Sequence, residues 1–330
     1  MLKTIIGLFK FTLISISFAY TATANPQLAT VEGARVNMDF QAPFIMSGAD
    51  IPYEHEITVV LPASYHVSPD KTYPVLWVLD APLMLRSVIG IQDTLVIGNM
   101  APEMIIVGIG SKSEEGFAGV GRRVMDFSPA GPDYFPRGRR GDAWKELAPL
   151  PEFPHLADQF LSFLTTQLRP KLAEDYRFSG EHALFGHSAG GMFAAYSLFK
   201  QPGAFEKVII GSPYLEGVRG AVFAAEQQYS AYHDDLDIDL FIGVGGRETE
   251  EYFLAASGIV SSTVDFAETL RLRLYPSLEI KTEIYSKENH YTVAARVISD
   301  GIRHLWSEET AGLGSSWPQP PEVNRQNETP

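Results

Sequence analysis

Residues 183 to 199 read Ala-Leu-Phe-Gly-His-Ser-Ala-Gly-Gly-Met-Phe-Ala-Ala-Tyr-Ser-Leu-Phe, and they constrain the fold more than any other part of the chain. The first residues suit a buried strand, and those after Gly191 suit an apolar helix. Between them, Gly186-His187-Ser188-Ala189-Gly190 has glycines on both sides of a serine, which permits a sharp strand-to-helix turn. Such a turn exposes the serine oxygen at the carboxyl end of the strand. The pattern predicts that Ser188 is a catalytic nucleophile.

The rest of the chain alternates short apolar runs with amphipathic stretches, which predicts an α/β fold with a mostly parallel central sheet and helices on both faces. The predicted strands are Glu56 to Leu61, Val75 to Leu79, Met104 to Ile109, His182 to Phe185, Lys207 to Gly211, Asp239 to Val244 and Glu279 to Tyr285. The predicted helices are Leu156 to Asp175, Ala189 to Lys200, Glu250 to Tyr275 and Tyr291 to Ser307.

Composition excludes several classes of protein. The chain has 330 residues, of which 45% are hydrophobic, enough for the core of one large domain, expected over residues 25–311. A net charge of −14 argues against nucleic acid or an anionic membrane surface as a partner. The absence of cysteine excludes disulfides, thiolate metal sites and a cysteine nucleophile. We expect no metal and no organic cofactor.

Three segments stand apart from this domain. Residues 1–24 have lysines flanking a short apolar stretch and end in Ala22-Thr23-Ala24, which predicts a cleaved secretory signal and a periplasmic or secreted protein. Residues 111–154 are rich in Gly, Pro and charge, and we expect a long irregular loop there. Residues 312–330 have almost no apolar side chains and are expected to be a disordered tail.

A serine nucleophile requires a base and an acid, which follow it along the chain in this kind of fold. His290 lies in a short loop after the last predicted strand, and we expect it to be the base. Glu248, at the carboxyl end of the preceding strand, is the expected acid, ahead of Glu250 and Glu251. A Ser/His dyad with a weaker orienting partner is the alternative.

The oxyanion formed in acyl transfer needs two backbone N–H donors. One is expected from Ala189, directly after the nucleophile, and the other from the turn after the strand that ends at Leu79. In that turn Pro82 has no N–H to donate, so the hole is intact only if it uses Ala81 or Leu83. Ala81 is the predicted donor.

These motifs resemble the putative-esterase family of α/β-hydrolases, and in particular its siderophore-esterase branch. The resemblance rests on Leu61-Pro-Ala-Ser-Tyr65, Tyr73-Pro-Val-Leu-Trp-Val-Leu-Asp80, Arg123-Val-Met-Asp-Phe-Ser-Pro129, Gly211-Ser-Pro-Tyr214 and Glu288-Asn-His290. It also rests on the strand-to-helix turn Gly186-His187-Ser188-Ala189-Gly190, called the elbow below. It implies the α/β-hydrolase fold, an esterase active on a small-molecule ester, and a substrate pocket that includes Tyr214. Asp80-Ala-Pro departs from the Asp-Gly usual in the family.

The substrate is less constrained by the sequence than the mechanism. Arg122, Arg123 and the arginines at 137, 139 and 140 form a basic cluster in an acidic protein, and they predict an anion-binding wall suited to a ferric catecholate or a carboxylated ester. The alternative is a solvated loop in which Arg123 pairs with Asp126. Two other functions use the same fold: an acyltransferase that shares the acyl-enzyme, and a catalytically silent ligand-binding protein.

Overall fold

The fold is built on a nine-stranded sheet. The computed structural model describes residues 38–130, 154–215 and 219–312. Within them the strands are β1 (Asp39–Phe40), β2 (Phe44–Ser47), β3 (Glu54–Leu61), β4 (Tyr73–Val78), β5 (Ile105–Gly110), β6 (Phe178–His187), β7 (Lys207–Gly211), β8 (Ile238–Gly245) and β9 (Leu278–Tyr285). Their order is β1-β3-β5-β4-β6-β7-β8-β9, and β2 also pairs with β3.

Six neighbouring strands, from β5 to β9, run parallel to one another. The strands β1, β2 and β3 extend the sheet through antiparallel pairs. The central parallel strands are buried on both faces, which explains why they appear in the sequence as continuous apolar runs instead of alternating patterns. The edge strand β9 is partly exposed and alternates apolar with polar residues. The predicted α/β sheet is confirmed.

Helices cover both faces of the sheet. They are α1 (Ala81–Ile97), α2 (Gly116–Phe127), α3 (Ala157–Ser162), α4 (Arg169–Asp175), α5 (Ala189–Lys200), α6 (Arg219–Ser230), α7 (Tyr252–Ser257), α8 (Ile259–Arg273), α9 (Val293–Leu305) and α10 (Ser307–Thr310). A π-helical turn, Phe163–Leu168, joins α3 to α4. One apolar core holds α1 and α9 against the sheet, and a second core on the opposite face holds α3, α5, α6 and α8.

All seven predicted strands are present, with ends that differ by a few residues. The prediction of Glu250 to Tyr275 as one helix is corrected to α7 and α8, which are separated at Gly258 in a left-handed conformation (φ 66°). Three helices were not predicted: α1, α2 and α6. In α1 an Ala-Pro pair follows the strand directly, and in α2 the three glycines at 116, 119 and 121 hide the helical pattern.

The passage 111–154 is therefore not irregular throughout, because α2 and a 3₁₀ turn, Ser113–Glu115, occupy its first part. Its remainder, 131–153, lies outside the described residues, as do the predicted signal at 1–24 and residues 313–330 of the predicted tail. Across the described ranges, no helix has the length and apolar character needed to cross a membrane.

Candidate active site

Ser188 lies at the turn between β6 and α5, the place that its flanking residues predict. Its backbone is in the left-handed region, with φ 60° and ψ −118°. This conformation is strained for a residue with a side chain, and it is tolerated because the surroundings fix it: the Ser188 N–H donates to the carbonyl of Gly211 at 2.8 Å. Gly186 makes the turn possible, since a Cβ there would lie 2.1 Å from the Gly190 carbonyl oxygen. Ser188 itself is partly exposed.

Strained residues cluster at this edge of the sheet. Three residues with positive φ follow the neighbouring strands β4, β6 and β7: Asp80 (56°), Ser188 (60°) and Ser212 (38°). The other two described non-glycine residues with positive φ, Asn99 and Leu274, lie just after helices α1 and α8. Backbone strain that gathers at the carboxyl ends of parallel strands is typical of a functional site.

Glu248 lies in the 3₁₀ turn that follows β8, and its side chain is completely buried. Its Oε1 accepts hydrogen bonds from the Ser212 hydroxyl at 2.5 Å and from the Gly245 N–H at 2.8 Å. Its Oε2 lies 2.8 Å from Nδ1 of His290. Glu250 instead pairs with Arg247 at 3.0 Å, with an exposed side chain. Of the candidate acids, Glu248 is the one that contacts His290.

His290 is held in the loop between β9 and α9. The Asn289 side-chain oxygen accepts the N–H groups of Tyr291 and Thr292, each at 3.0 Å, which fixes the loop directly before the start of α9. The main chain of Glu288 also holds the loop, because its carbonyl accepts the Arg247 N–H at 3.1 Å. With Nδ1–H donating to Glu248, the imidazole of His290 keeps Nε2 for proton transfer.

His187 links this loop to the elbow. Its buried ring donates from Nε2 to the carbonyl of His290 at 2.8 Å, and the two imidazole rings are 4.9 Å apart. Burial, with the neighbouring His290 as a second cause, lowers the pKa of His187 to about 3. His187 is therefore neutral at physiological pH, and its hydrogen bond joins the segment that carries Ser188 to His290.

The turn that carries the predicted second oxyanion donor begins α1. The Leu83 N–H donates to the Asp80 carbonyl at 2.8 Å, which removes Leu83 from the two candidates. Pro82 packs against Gly110, where a Cβ would lie 2.4 Å from the proline ring. Ala81 is the first residue of the helix, so its N–H has no acceptor within the helix. Ala189 is likewise the first residue of α5.

The two described arginines of the basic cluster have different partners. Arg122 pairs with Glu115 at 2.7 Å and lies over the ring of Tyr53, 4.2 Å from its centroid. Arg123 binds Asp80 through two hydrogen bonds and does not pair with Asp126. The Arg123–Asp126 pair of the alternative interpretation is wrong, because Asp126 instead accepts from Tyr53 and contacts His55.

Both arginine side chains line a small cavity next to the α1 turn, together with Asp80, Pro82 and Leu83. The arginines at 137, 139 and 140 lie outside the described residues.

Aromatic residues lie on the segments that contact Ser188 and His290. The Tyr214 N–H donates to the Ser188 carbonyl at 3.0 Å, and the Tyr214 ring stacks on Phe253 with centroids 6.1 Å apart and planes at 13°. Tyr291, which is 79% exposed, meets His290 edge-on. This arrangement offers flat apolar surfaces beside Ser188 and His290. Across the part of the chain that the structure describes, no group of three or more His, Asp or Glu side chains is arranged to hold a metal ion.

Comparison with known proteins identifies the family of the chain. The model of the family described as "Putative esterase" matches residues 49–250. The chain belongs to this esterase family. The matched residues include Ser188 and Glu248, and His290 follows them along the chain.

Relatives of this esterase act on siderophores. The ferri-bacillibactin esterase BesA of Bacillus subtilis (strain 168) is 27% identical over 248 residues, which are 71% of this chain and 79% of that protein. The siderophore enterobactin esterase of Emericella nidulans is 40% identical over 207 residues, 56% of this chain and 66% of that protein. The siderophore hydrolase EstA from Aspergillus nidulans shares the fold, with a TM-score of 0.69, 21% identity, and coverage of 84% of this chain and 97% of that one.

The sequence did not predict some residues of the esterase's site. Ser212 lies in Gly211-Ser-Pro-Tyr214, where the sequence assigns the serine no role, and it binds Glu248. Phe253 and Tyr291 carry no pattern that indicates a role, although each lies within five residues of a predicted site residue. Asp80 lies in a segment that resembles the family, but its partner Arg123 is 43 residues away along the chain, a separation at which sequence gives no contact information.

Proposed function

We propose that this protein is an exported serine esterase that hydrolyses carboxylic esters through an acyl-enzyme on Ser188. One observation carries the proposal: the Nδ1 of His290 lies 2.8 Å from a completely buried carboxylate, Glu248, in a loop tied to the residue that precedes Ser188. This pairing orients the imidazole, selects the tautomer that is a base at Nε2, and stabilises the charged form of the ring.

In the acylation step, Ser188 Oγ attacks the ester carbonyl carbon and its proton passes to Nε2 of His290. The carbonyl π electrons move onto oxygen, which gives a tetrahedral oxyanion. When the oxyanion collapses, the C–O bond to the alcohol breaks, and the departing alkoxide takes the proton from His290. The product of this step is a free alcohol and an acyl ester of Ser188.

Deacylation repeats these steps with water. His290 removes a proton from water, the hydroxide attacks the acyl carbon, and the second tetrahedral species expels Ser188, which recovers the proton. The acid is released and the enzyme is regenerated. The N–H groups of Ala189 and Ala81 serve as the oxyanion donors, because each begins a helix at the carboxyl edge of the sheet.

The proposed substrates are siderophore or aryl esters. The stacked pair of Tyr214 and Phe253, beside the nucleophile, supports a flat aromatic group in the substrate. Arg122, which lines the cavity next to the α1 turn, supports a negatively charged ester. Two relatives whose names specify siderophore esters support the same class.

The proposed location is the periplasm or the exterior of the cell, with residues 1–24 removed as the signal and residues 25–311 forming one catalytic domain. The charge pattern of the first residues and the Ala22-Thr23-Ala24 site support it. Mass spectrometry of the mature protein from expressing cells tests it: a first residue of Asn25 is expected, and a chain that keeps Met1 contradicts it.

The mechanism is tested with purified protein, a Ser188→Ala variant, p-nitrophenyl acetate and a fluorophosphonate probe. We expect turnover and covalent labelling by the wild type and loss of both in the variant. If the wild type neither turns over nor labels, the fold is a ligand-binding protein instead. If it labels but releases the acyl group to an added alcohol faster than to water, it is an acyltransferase.

The substrate class is tested by comparing a catecholate siderophore ester with ethyl acetate. The proposal predicts that Phe253→Ala raises KM for the catecholate ester more than for ethyl acetate, because only the former has a ring to stack. Equal effects on the two esters contradict the assignment of Phe253 to the substrate.

A further inference from the structure

Arg123 and Asp80 form an ion pair with two hydrogen bonds at the carboxyl edge of the sheet. From α2 its Nε donates to Asp80 Oδ1 at 2.5 Å and its Nη2 donates to Asp80 Oδ2 at 2.8 Å. The Asp80 side chain is 4% exposed and that of Arg123 is 21% exposed. A two-bond guanidinium–carboxylate pair fixes both the distance and the plane of its partner, and lysine cannot reproduce this geometry.

Asp80 controls the direction of the Ala81 N–H. The Asp80 carbonyl and the Ala81 N–H belong to one planar peptide, so fixing one fixes the other. That carbonyl accepts the N–H groups of Leu83 and Met84 at 2.8 and 2.9 Å. The residue itself has φ 56°, a strained conformation for aspartate that must be held by its surroundings. The bonds from Arg123 to its carboxylate supply that restraint.

Arg123 also reaches the elbow. Its Nη2 lies 3.4 Å from the carbonyl oxygen of His187, which shares a peptide with the Ser188 N–H. The Asp80 carboxylate in turn lies against the start of α5, because a Cβ on Gly190 would be 3.1 Å from Asp80 Oδ2. Arg123 and Asp80 together therefore contact both segments that carry the oxyanion donors, the turn with Ala81 and the turn with Ala189.

We propose that Arg123 is a positioning residue, which holds the Ala81 and Ala189 N–H groups at the separation that the oxyanion requires. The proposal rests on the proposed serine mechanism. In this role Arg123 acts through Asp80 and the His187 carbonyl, and it contacts no substrate atom. It differs from the anion-binding role that the sequence suggests for Arg123, and the two roles predict different kinetics.

The test uses Arg123→Lys with p-nitrophenyl acetate, a neutral ester, and counts active sites by fluorophosphonate labelling. We expect kcat per active site to fall about 10- to 100-fold with KM nearly unchanged, because the loss of a whole oxyanion donor costs about 100- to 1000-fold. The affinity for phenylboronic acid, whose adduct with a serine mimics the tetrahedral oxyanion, is expected to fall by a similar factor.

Asp80→Asn provides a second variant in which the same pair is weakened from the other side. It is expected to lower kcat by a similar factor, and the double variant is expected to be no slower than the worse single variant, because both changes remove one interaction. If the two residues contribute separately, the double variant is expected to be slower than either single variant.

A matched control separates positioning from stability. Arg273 binds Glu226 through two hydrogen bonds of 2.6 and 2.9 Å, and the Glu226 side chain is 2% exposed, as in the Arg123 pair. Arg273 precedes the amino end of β9, at the edge of the sheet opposite Ser188. Arg273→Lys is expected to lower the melting temperature as Arg123→Lys does, while leaving kcat and the phenylboronic acid affinity unchanged.

Each of the remaining outcomes overturns the proposal. An unchanged kcat in Arg123→Lys, or an equal loss in Arg273→Lys, removes the positioning role while leaving the serine mechanism intact. A rise in KM confined to acidic esters assigns Arg123 to substrate binding instead. A wild type without turnover or labelling overturns the serine mechanism itself, and with it the positioning role.

Discussion

The hydroxyl of Ser212 donates a 2.5 Å hydrogen bond to Glu248, a carboxylate with no exposure to solvent. Ser212 is also completely buried and has φ 38°, so the chain accepts strain at the end of β7 to present this donor. A buried carboxylate has no water to solvate it, and each donor that it loses weakens its hold on His290. Ser212 therefore belongs to the support of the proposed catalytic triad.

Replacing Ser212 by alanine is expected to lower kcat about 10- to 100-fold, because a hydrogen bond to a charged group contributes about 1.5–3 kcal/mol. Steady-state hydrolysis of p-nitrophenyl acetate measures it. Ser197→Ala is the matched control: Ser197 is 1% exposed and donates to the Ala194 carbonyl at 2.8 Å within α5. If both variants lose the same activity, the effect of Ser212 is general destabilisation.

Glu248→Gln is expected to lower kcat about 10³- to 10⁴-fold while preserving the fold, because an amide in that position favours the wrong tautomer of His290. Glu250→Gln, two residues away and paired with Arg247 at the surface, is expected to change kcat less than twofold. Measuring both variants separates the acids that the sequence leaves open. A Glu248→Gln enzyme with full activity would establish a Ser/His dyad.

Sequence predicts those elements of this molecule for which the local residue pattern and the position along the chain indicate the same structure. The central parallel strands are buried on both faces and give continuous apolar runs. All seven predicted strands are present, including the antiparallel β3 and the edge strand β9. The elbow is specified by glycines at positions where a side chain would clash with the backbone. His290 is specified by its place after the last strand. The short edge strands β1 and β2 have no such run, and the sequence did not indicate them.

Contacts between distant segments account for most of what the sequence did not predict. Local spacing suggested Asp126 as the partner of Arg123, because the two residues are three positions apart in the same passage. Both lie on α2, but Arg123 binds Asp80 and Asp126 contacts His55. Asp80 becomes the partner of Arg123 only because the turn after β4 lies against α2 in the folded chain. No local pattern carries that information.

The elbow geometry predicts a sharp difference between two glycines. Gly186→Ala places a Cβ 2.1 Å from the Gly190 carbonyl oxygen, a contact that backbone must move to relieve, and it is expected to abolish folding or cost more than about 3 kcal/mol. In Gly90→Ala the new Cβ meets nothing within 4 Å in α1, and a gain of about 0.5–1 kcal/mol is expected. Urea unfolding of both variants measures the difference, and a native midpoint for Gly186→Ala contradicts the elbow.

Burial of His187 predicts how stability depends on pH. Its pKa, about 3 in the folded chain, is below the unfolded value near 6.5, so the unfolded chain binds more protons between these values. The contribution of His187 to the free energy of unfolding is fully present above pH 6.5 and is lost as pH falls, at up to about 1.4 kcal/mol per pH unit.

His187→Gln keeps a donor for the His290 carbonyl and cannot titrate. Urea unfolding from pH 7 to 5 should show a shallower decline in the variant, with the remainder due partly to His182, whose pKa burial lowers to about 4. Parallel curves for the two proteins would show that His187 is protonated in the folded chain as readily as in the unfolded one.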